Sequence, residues 1–215
     1  MNDKPMTHQR PVRKANNRLS KTAGAKETIK GFDHNMDIIG LTFGQFSLLD
    51  LMEATLEITG SADVIVSTWS AGFYDVNAAQ QFRDNGKLRS IRFLMDSSAK
   101  RGQATVGDVG DIFGNNNVRA TRLHAKFAVI TNNQWSVVIT TSMNLNLNPR
   151  CEHFEMTDDN DRAQLFLDFT NTIFNELTEG DTGDRKFPRL ENMTEVIPDL
   201  GIDINRSIQM GAFTQ

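Results

Sequence analysis

The sequence predicts an α/β protein, with short buried strands alternating with amphipathic helices around one core. Three observations predict it. Residues 62–69, 90–95 and 120–131 are short apolar runs rich in β-branched side chains, the signature of buried strands. Between and after them, residues 44–58, 74–86 and the stretch from Leu165 to Leu177 repeat apolar side chains at helical spacing. Finally, Asn132-Asn133 separates two strand-like runs and reads as a hairpin turn.

Taken in order, residues 1–30 are polar, contain Asn16-Asn17 and show little apolar periodicity, which predicts a flexible arm. Structure is expected from about residue 37. Phe46, Leu48, Leu49, Leu51, Met52, Leu56 and Ile58 then mark a helix that Gly60 stops. A strand over 62–69 follows. Ala78, Ala79 and Phe82 on a polar background predict a second helix, closed by Asn85-Gly86. The next strand spans 90–95.

Residues 97–117 carry Gly102, Gly107, Gly110 and Gly114-Asn115-Asn116-Asn117, so they read as a connection; they lack the pattern of a phosphate-cradling loop. A strand over 120–131 and another over 135–141 make the hairpin. One arm carries His124 and Lys126, and the other delivers Ser142 and Asn144 at its end. Alternation along a strand puts His124, Lys126 and Ala128 on one face. Thr157-Asp158-Asp159-Asn160-Asp161 precedes the last helix. Capping and the helix dipole explain this acidic cluster more simply than metal ligation does. Residues 179–215 hold Pro188 and Pro198 without clear periodicity and read as a C-terminal extension to a domain of residues 31–178. No internal repeat is visible, and His-x-Lys occurs once.

Bulk properties narrow the classes. The 215 residues are 39% hydrophobic and 23% charged, values of an ordinary globular chain. Nothing approaches an apolar run long enough to span a bilayer, and the N-terminus lacks the apolar core of a secretory signal, so the expected compartment is the cytoplasm. The single cysteine, Cys151, excludes an internal disulfide and a Cys-cluster metal site, and nothing marks it as a nucleophile. The net charge of −4 conceals an asymmetry: residues 1–30 carry +6 and the rest −10. Such an arm is either a solvated tail or a polyanion contact, since Lys and Arg displace counterions from phosphates. Arg10, Arg13, Lys14, Arg18 and Lys21 are the candidate nucleic-acid-binding residues.

His124-Ala125-Lys126 is followed by Ser142-Met143-Asn144 and, eleven residues beyond Asn144, by Glu155. A His-x-Lys by itself is weak evidence, but the ordered set lying around two strand-like runs is much more specific. In order and spacing the set resembles the signature of the phospholipase D superfamily, sharply over residues 122–155 and only in topology from about 36 to 178. Two positions depart from it: the family Asp falls on Thr131, and the Gly before the serine is Thr141.

The resemblance implies a mixed β-sheet flanked by helices, with one half of the family's paired site in each chain. It implies a phosphodiesterase needing no metal or other cofactor. His124 would attack phosphorus, Lys126 and Asn144 would meet the charge on the non-bridging oxygens, Glu155 would orient His124, and Ser142 would support them. A single motif supplies one histidine. The family's single-motif members solve this by forming a two-fold homodimer, which would set His124 of both copies in one cleft. His153 is the alternative second histidine. Trp69 reads as a core residue or as a border of the cleft, and His8 and His34 receive no role. The resemblance favours a nuclease, on DNA rather than RNA. The alternatives are an inactive nucleic-acid-binding module on the same fold, with Thr131 as its mark of decay, and a phospholipase or lipid phosphotransferase. The arm has no apolar stripe with which to lie on a membrane.

Overall fold

The computed structural model describes residues 14–19, 24–69, 71, 73–97, 104–147 and 149–177. Its elements run, in chain order, β1 (Lys14–Leu19), α1 (Ala25–Thr28), β2 (Met36–Thr42), α2 (Leu48–Thr59), β3 (Ala62–Thr68), α3 (Phe73–Asp84), β4 (Leu88–Asp96), α4 (Val106–Phe113), β5 (Val118–Thr121), β6 (Lys126–Thr131), β7 (Ser136–Thr141), β8 (Glu152–Asp158) and α5 (Asn160–Glu176). The strands form one eight-stranded sheet ordered β1-β2-β8-β7-β6-β3-β4-β5. Pairing is parallel between β1 and β2 and along β3-β4-β5, and antiparallel elsewhere. The expected mixed sheet flanked by helices is therefore present.

Alternation along the strands divides the core in two. Val64, Val66, Phe93, Ala128, Ile130, Val137, Ile139, Phe154 and Met156 point to the face covered by α1 to α4. Ile65, Leu94, Phe127, Val129 and Val138 point to the other face and pack on α5 through Ala163, Phe166, Phe169 and Ile173. Each large side chain so buried contributes about 1.5–3 kcal/mol. Gly40 has a specific reason to be glycine: the Phe154 ring of the neighbouring strand occupies the space its Cβ would need. On the α5 side of β2, Ile39 and Leu41 remain 42% and 56% exposed.

The structure corrects several expectations. Lys14–Leu19, read as part of the arm, pairs with β2 at the sheet edge, and Ala25–Thr28 is a short helix. The connection over 97–117 contains α4, which starts on a Thr105/Asp108 capping box. Two hydrogen bonds from Thr105, through its hydroxyl and its backbone N–H, hold the Asp108 carboxyl below its ordinary pKa. The run over 120–131 is two strands: β5 pairs with β4 at the far edge and β6 lies between β3 and β7. The hairpin forms as expected, with the Asn132 side chain accepting from the backbone of Gln134 and Trp135. β8 went unread because its Glu-His-Phe-Glu-Met pattern is short and polar. The acidic cluster does cap, since Asp159 accepts from the Arg162 backbone at 3.0 Å.

Arg10, Arg13, Lys21 and the extension over 179–215 lie outside the described residues. Lys14 and Arg18 are on β1, in register with Met36 and Gly40. Among the described residues, no helix is long and apolar enough to cross a membrane.

Candidate active site

The strand directions gather the candidate residues at one end of the sheet. β2, β3, β4, β5 and β7 finish there, while β6 and β8 begin there. In open α/β sheets, the carboxyl ends of parallel strands are where loops leave room for a ligand. The cleft at this end has a volume of about 460 Å³ and is lined by His124, Lys126, Thr141, Ser142, His153 and Phe166, among others.

His124 sits in the stretch between β5 and β6, so it does not share a strand face with Lys126 as expected. Two buried groups fix that stretch. The Asp96 carboxylate, at the end of β4, accepts from the Leu123 backbone at 2.8 Å, and the Ser67 hydroxyl, on β3, donates to the Ala125 carbonyl at 2.7 Å. The residues on both sides of His124 are thus held while its imidazole stays exposed. The Lys126 ammonium lies 3.2 Å from His124 Nε2 and donates to the His124 carbonyl at 3.1 Å. Burial pulls the Lys126 pKa below the usual lysine value, against the opposing pull of Glu152.

Ser142, which lines the cleft, is bonded to Glu152. The Ser142 hydroxyl donates to the Glu152 carboxylate and accepts from the His153 backbone N–H at 3.0 Å. Thr141, where the family signature has Gly, donates from its hydroxyl to the His153 carbonyl at 2.6 Å and accepts from Met143 N–H at 3.0 Å. The end of β7 is therefore fastened to the start of β8. Asn144 lies just beyond. Its carbonyl accepts from the Leu48 N–H at the start of α2 at 3.3 Å, and its side-chain oxygen is buried with no hydrogen-bond partner among the described residues.

Glu155 takes a different partner. Three residues from Glu152 on the same strand, it faces the opposite side of the sheet and pairs with Arg162 of α5 at 3.3 Å. Glu152, which the sequence does not single out, is the carboxylate bonded to the cleft residue Ser142. Thr131 ends β6 about 17 Å from Lys126 at strand rise, remote from the cleft. The Trp69 ring is 6.1 Å from the His124 ring, and Trp69 is half-buried rather than a core residue. Cys151 is exposed. His34 lies at the far end of the sheet, stacked on Trp135 and paired with Asp158. Among the described residues, no three His, Cys, Asp or Glu side chains gather as a metal site.

Three solved structures are similar to this chain over 66% of its length. A phospholipase D family member, Nuc from Salmonella typhimurium, is 15% identical; the match covers 66% of this chain and 96% of that one, with a TM-score of 0.43. NucT from Helicobacter pylori is 16% identical over 66% of this chain and 99% of its own, with a TM-score of 0.45. A polyphosphate kinase from Porphyromonas gingivalis is 11% identical over 66% of this chain but 26% of its own, with a TM-score of 0.48. No family model and no curated protein matches the sequence. At these identities and scores, the chemistry of the cleft rests on its own residues.

Those residues supply an exposed imidazole, an ammonium beside it, and a serine held by a carboxylate. Neutral imidazole is a competent nucleophile near pH 7, and an ammonium in a partly dry cleft attracts an anion more strongly than one in water. The set is suited to holding a phosphate and attacking it.

Proposed function

We propose that the protein is a metal-independent phosphodiesterase that cleaves nucleic acid, DNA in preference to RNA, through a covalent phosphohistidine on His124. The observation that carries this reading is the pairing of His124 with Lys126 in one cleft, beside the Ser142–Glu152 hydrogen bond. A ring nitrogen of His124 forms a bond to phosphorus, and the bond to the leaving oxygen breaks. Lys126 neutralises the non-bridging oxygens, with Asn144 donating a further hydrogen bond from its amide. The leaving oxygen takes its proton from a second histidine, which then removes a proton from water as that water displaces His124. The second histidine is His124 of another copy, brought across a two-fold axis in a homodimer. The basic residues Arg10, Arg13, Lys14, Arg18 and Lys21 hold the polyanion by counterion release.

Thr131 favours activity over the reading as an inactive binding module, because the departure lies at the strand end remote from the cleft. The test is cleavage of DNA and RNA in excess chelator by wild type and by His124→Ala. Cleavage that persists in chelator and falls at least a thousandfold in the variant is expected. Salt-sensitive binding by both proteins without cleavage would make this a binding module, and turnover of a phosphatidyl substrate in preference to nucleic acid would make it a lipid enzyme.

A further inference from the structure

We propose that the cleft takes single-stranded nucleic acid, with an unpaired base beside the scissile phosphate stacked on Trp69. This rests on the phosphodiesterase reading above and adds the class of substrate. Trp69 directly follows the last residue of β3, is half-buried, and sets its ring 6.1 Å from that of His124 at an interplanar angle of 50°. A phosphate held by His124 and Lys126 carries its own sugar and base into reach of that indole. Bases stack on aromatic side chains whatever their identity, but only when a face is free. In a duplex, stacked neighbours cover both faces and pairing fixes the base, so a duplex must first extrude it.

The rest of the sheet end gives the strand a path. From β3 the chain ends pass in order through β6 with Lys126, β7 with Ser142 following it, and β8 with Glu152 and His153, to β2 with Phe43 following it. Four strand spacings separate β3 from β2, about 19 Å. Phe43 is 50% exposed at that far side, a second aromatic residue at the same end of the sheet as Trp69. Arg122, beside His124, and Arg150, in the β7–β8 connection, are exposed at the same end and add positive charge along the path. A strand entering over Trp69 and leaving over Phe43 runs its backbone past His124.

The experiment uses the full chain carrying His124→Ala, so that substrate is bound and not cut, and reads intrinsic fluorescence during titration with oligothymidylate or a duplex of equal length. The protein has two tryptophans, and Trp135 is buried at the opposite end of the sheet, so a stacked base is reported by Trp69. Quenching by the single strand, little response to the duplex, and about tenfold weaker single-strand binding by Trp69→Ala are expected. Trp69→Phe, which keeps a stacking face, should retain most of the affinity and lose the signal. Single-strand binding without quenching, equal quenching by duplex, unchanged affinity in Trp69→Ala, or no binding of either nucleic acid would overturn the proposal. Hydrolysis of bis(p-nitrophenyl) phosphate by wild type and His124→Ala tests the enzyme reading separately. Quenching without hydrolysis sinks the enzyme and keeps the stacking site; hydrolysis without quenching does the reverse.

Discussion

At the scale of single residues, two carboxylates three positions apart on β8 have different partners, Ser142 and Arg162. Glu152 holds the Ser142 hydroxyl and raises the Lys126 pKa, while burial lowers it further than Glu152 raises it. Lys126 must be charged to meet a phosphate, so activity declines on the alkaline side at a pH below the usual lysine range. Glu152→Gln removes the carboxylate's support for the ammonium, so that decline is expected to begin at still lower pH, with kcat reduced about tenfold or more. Glu155→Gln breaks only a partly exposed pair with Arg162 and is expected to alter stability by under about 1 kcal/mol and leave the pH profile in place. Kinetics of both variants across pH decide the matter. A shifted profile in Glu155→Gln, with none in Glu152→Gln, would return the role to Glu155.

At the scale of elements, the decisive piece is the stretch between β5 and β6. A strand would have fixed His124 by its ladder, but here Asp96 and Ser67 take over that work from two neighbouring strands. Asp96→Asn weakens a charge-assisted acceptor of the Leu123 N–H and is expected to cut kcat several-fold with little change in KM, because His124 is displaced while phosphate binding is kept. Ser67→Ala leaves the Ala125 carbonyl short of a donor and should cost about 1 kcal/mol on urea unfolding. Loss of stability in both variants with kcat intact would reduce the pair to ordinary core contacts. The two capping boxes, Ser47 with Asp50 and Thr105 with Asp108, act at the same scale by anchoring the starts of α2 and α4.

At the scale of the whole molecule, one copy holds one His-x-Lys, whereas the proposed chemistry uses two histidines. Sedimentation equilibrium is expected to give a dimer of the 24.1 kDa chain under conditions where the enzyme is active. Full specific activity from a monomer at all concentrations would assign the proton transfer to His153, which lines the same cleft.

The α/β class, the β6–β7 hairpin and the grouping of His124, Lys126 and Ser142 at one cleft were legible in the chain, because periodicity, turn residues and motif spacing are local properties. Not legible were α4, whose glycines masked a well-capped helix, and β8, whose polar alternation carries little strand signal. That Glu152 meets Ser142 of the cleft while Glu155 meets Arg162 emerges only on folding, since the two lie three residues apart and opposite faces follow from register. Folding also decides that Trp69 meets His124 and that Asp96 and Ser67 clamp the stretch carrying it. Those contacts join residues from 27 to 58 positions apart along the chain, brought together by strand order alone.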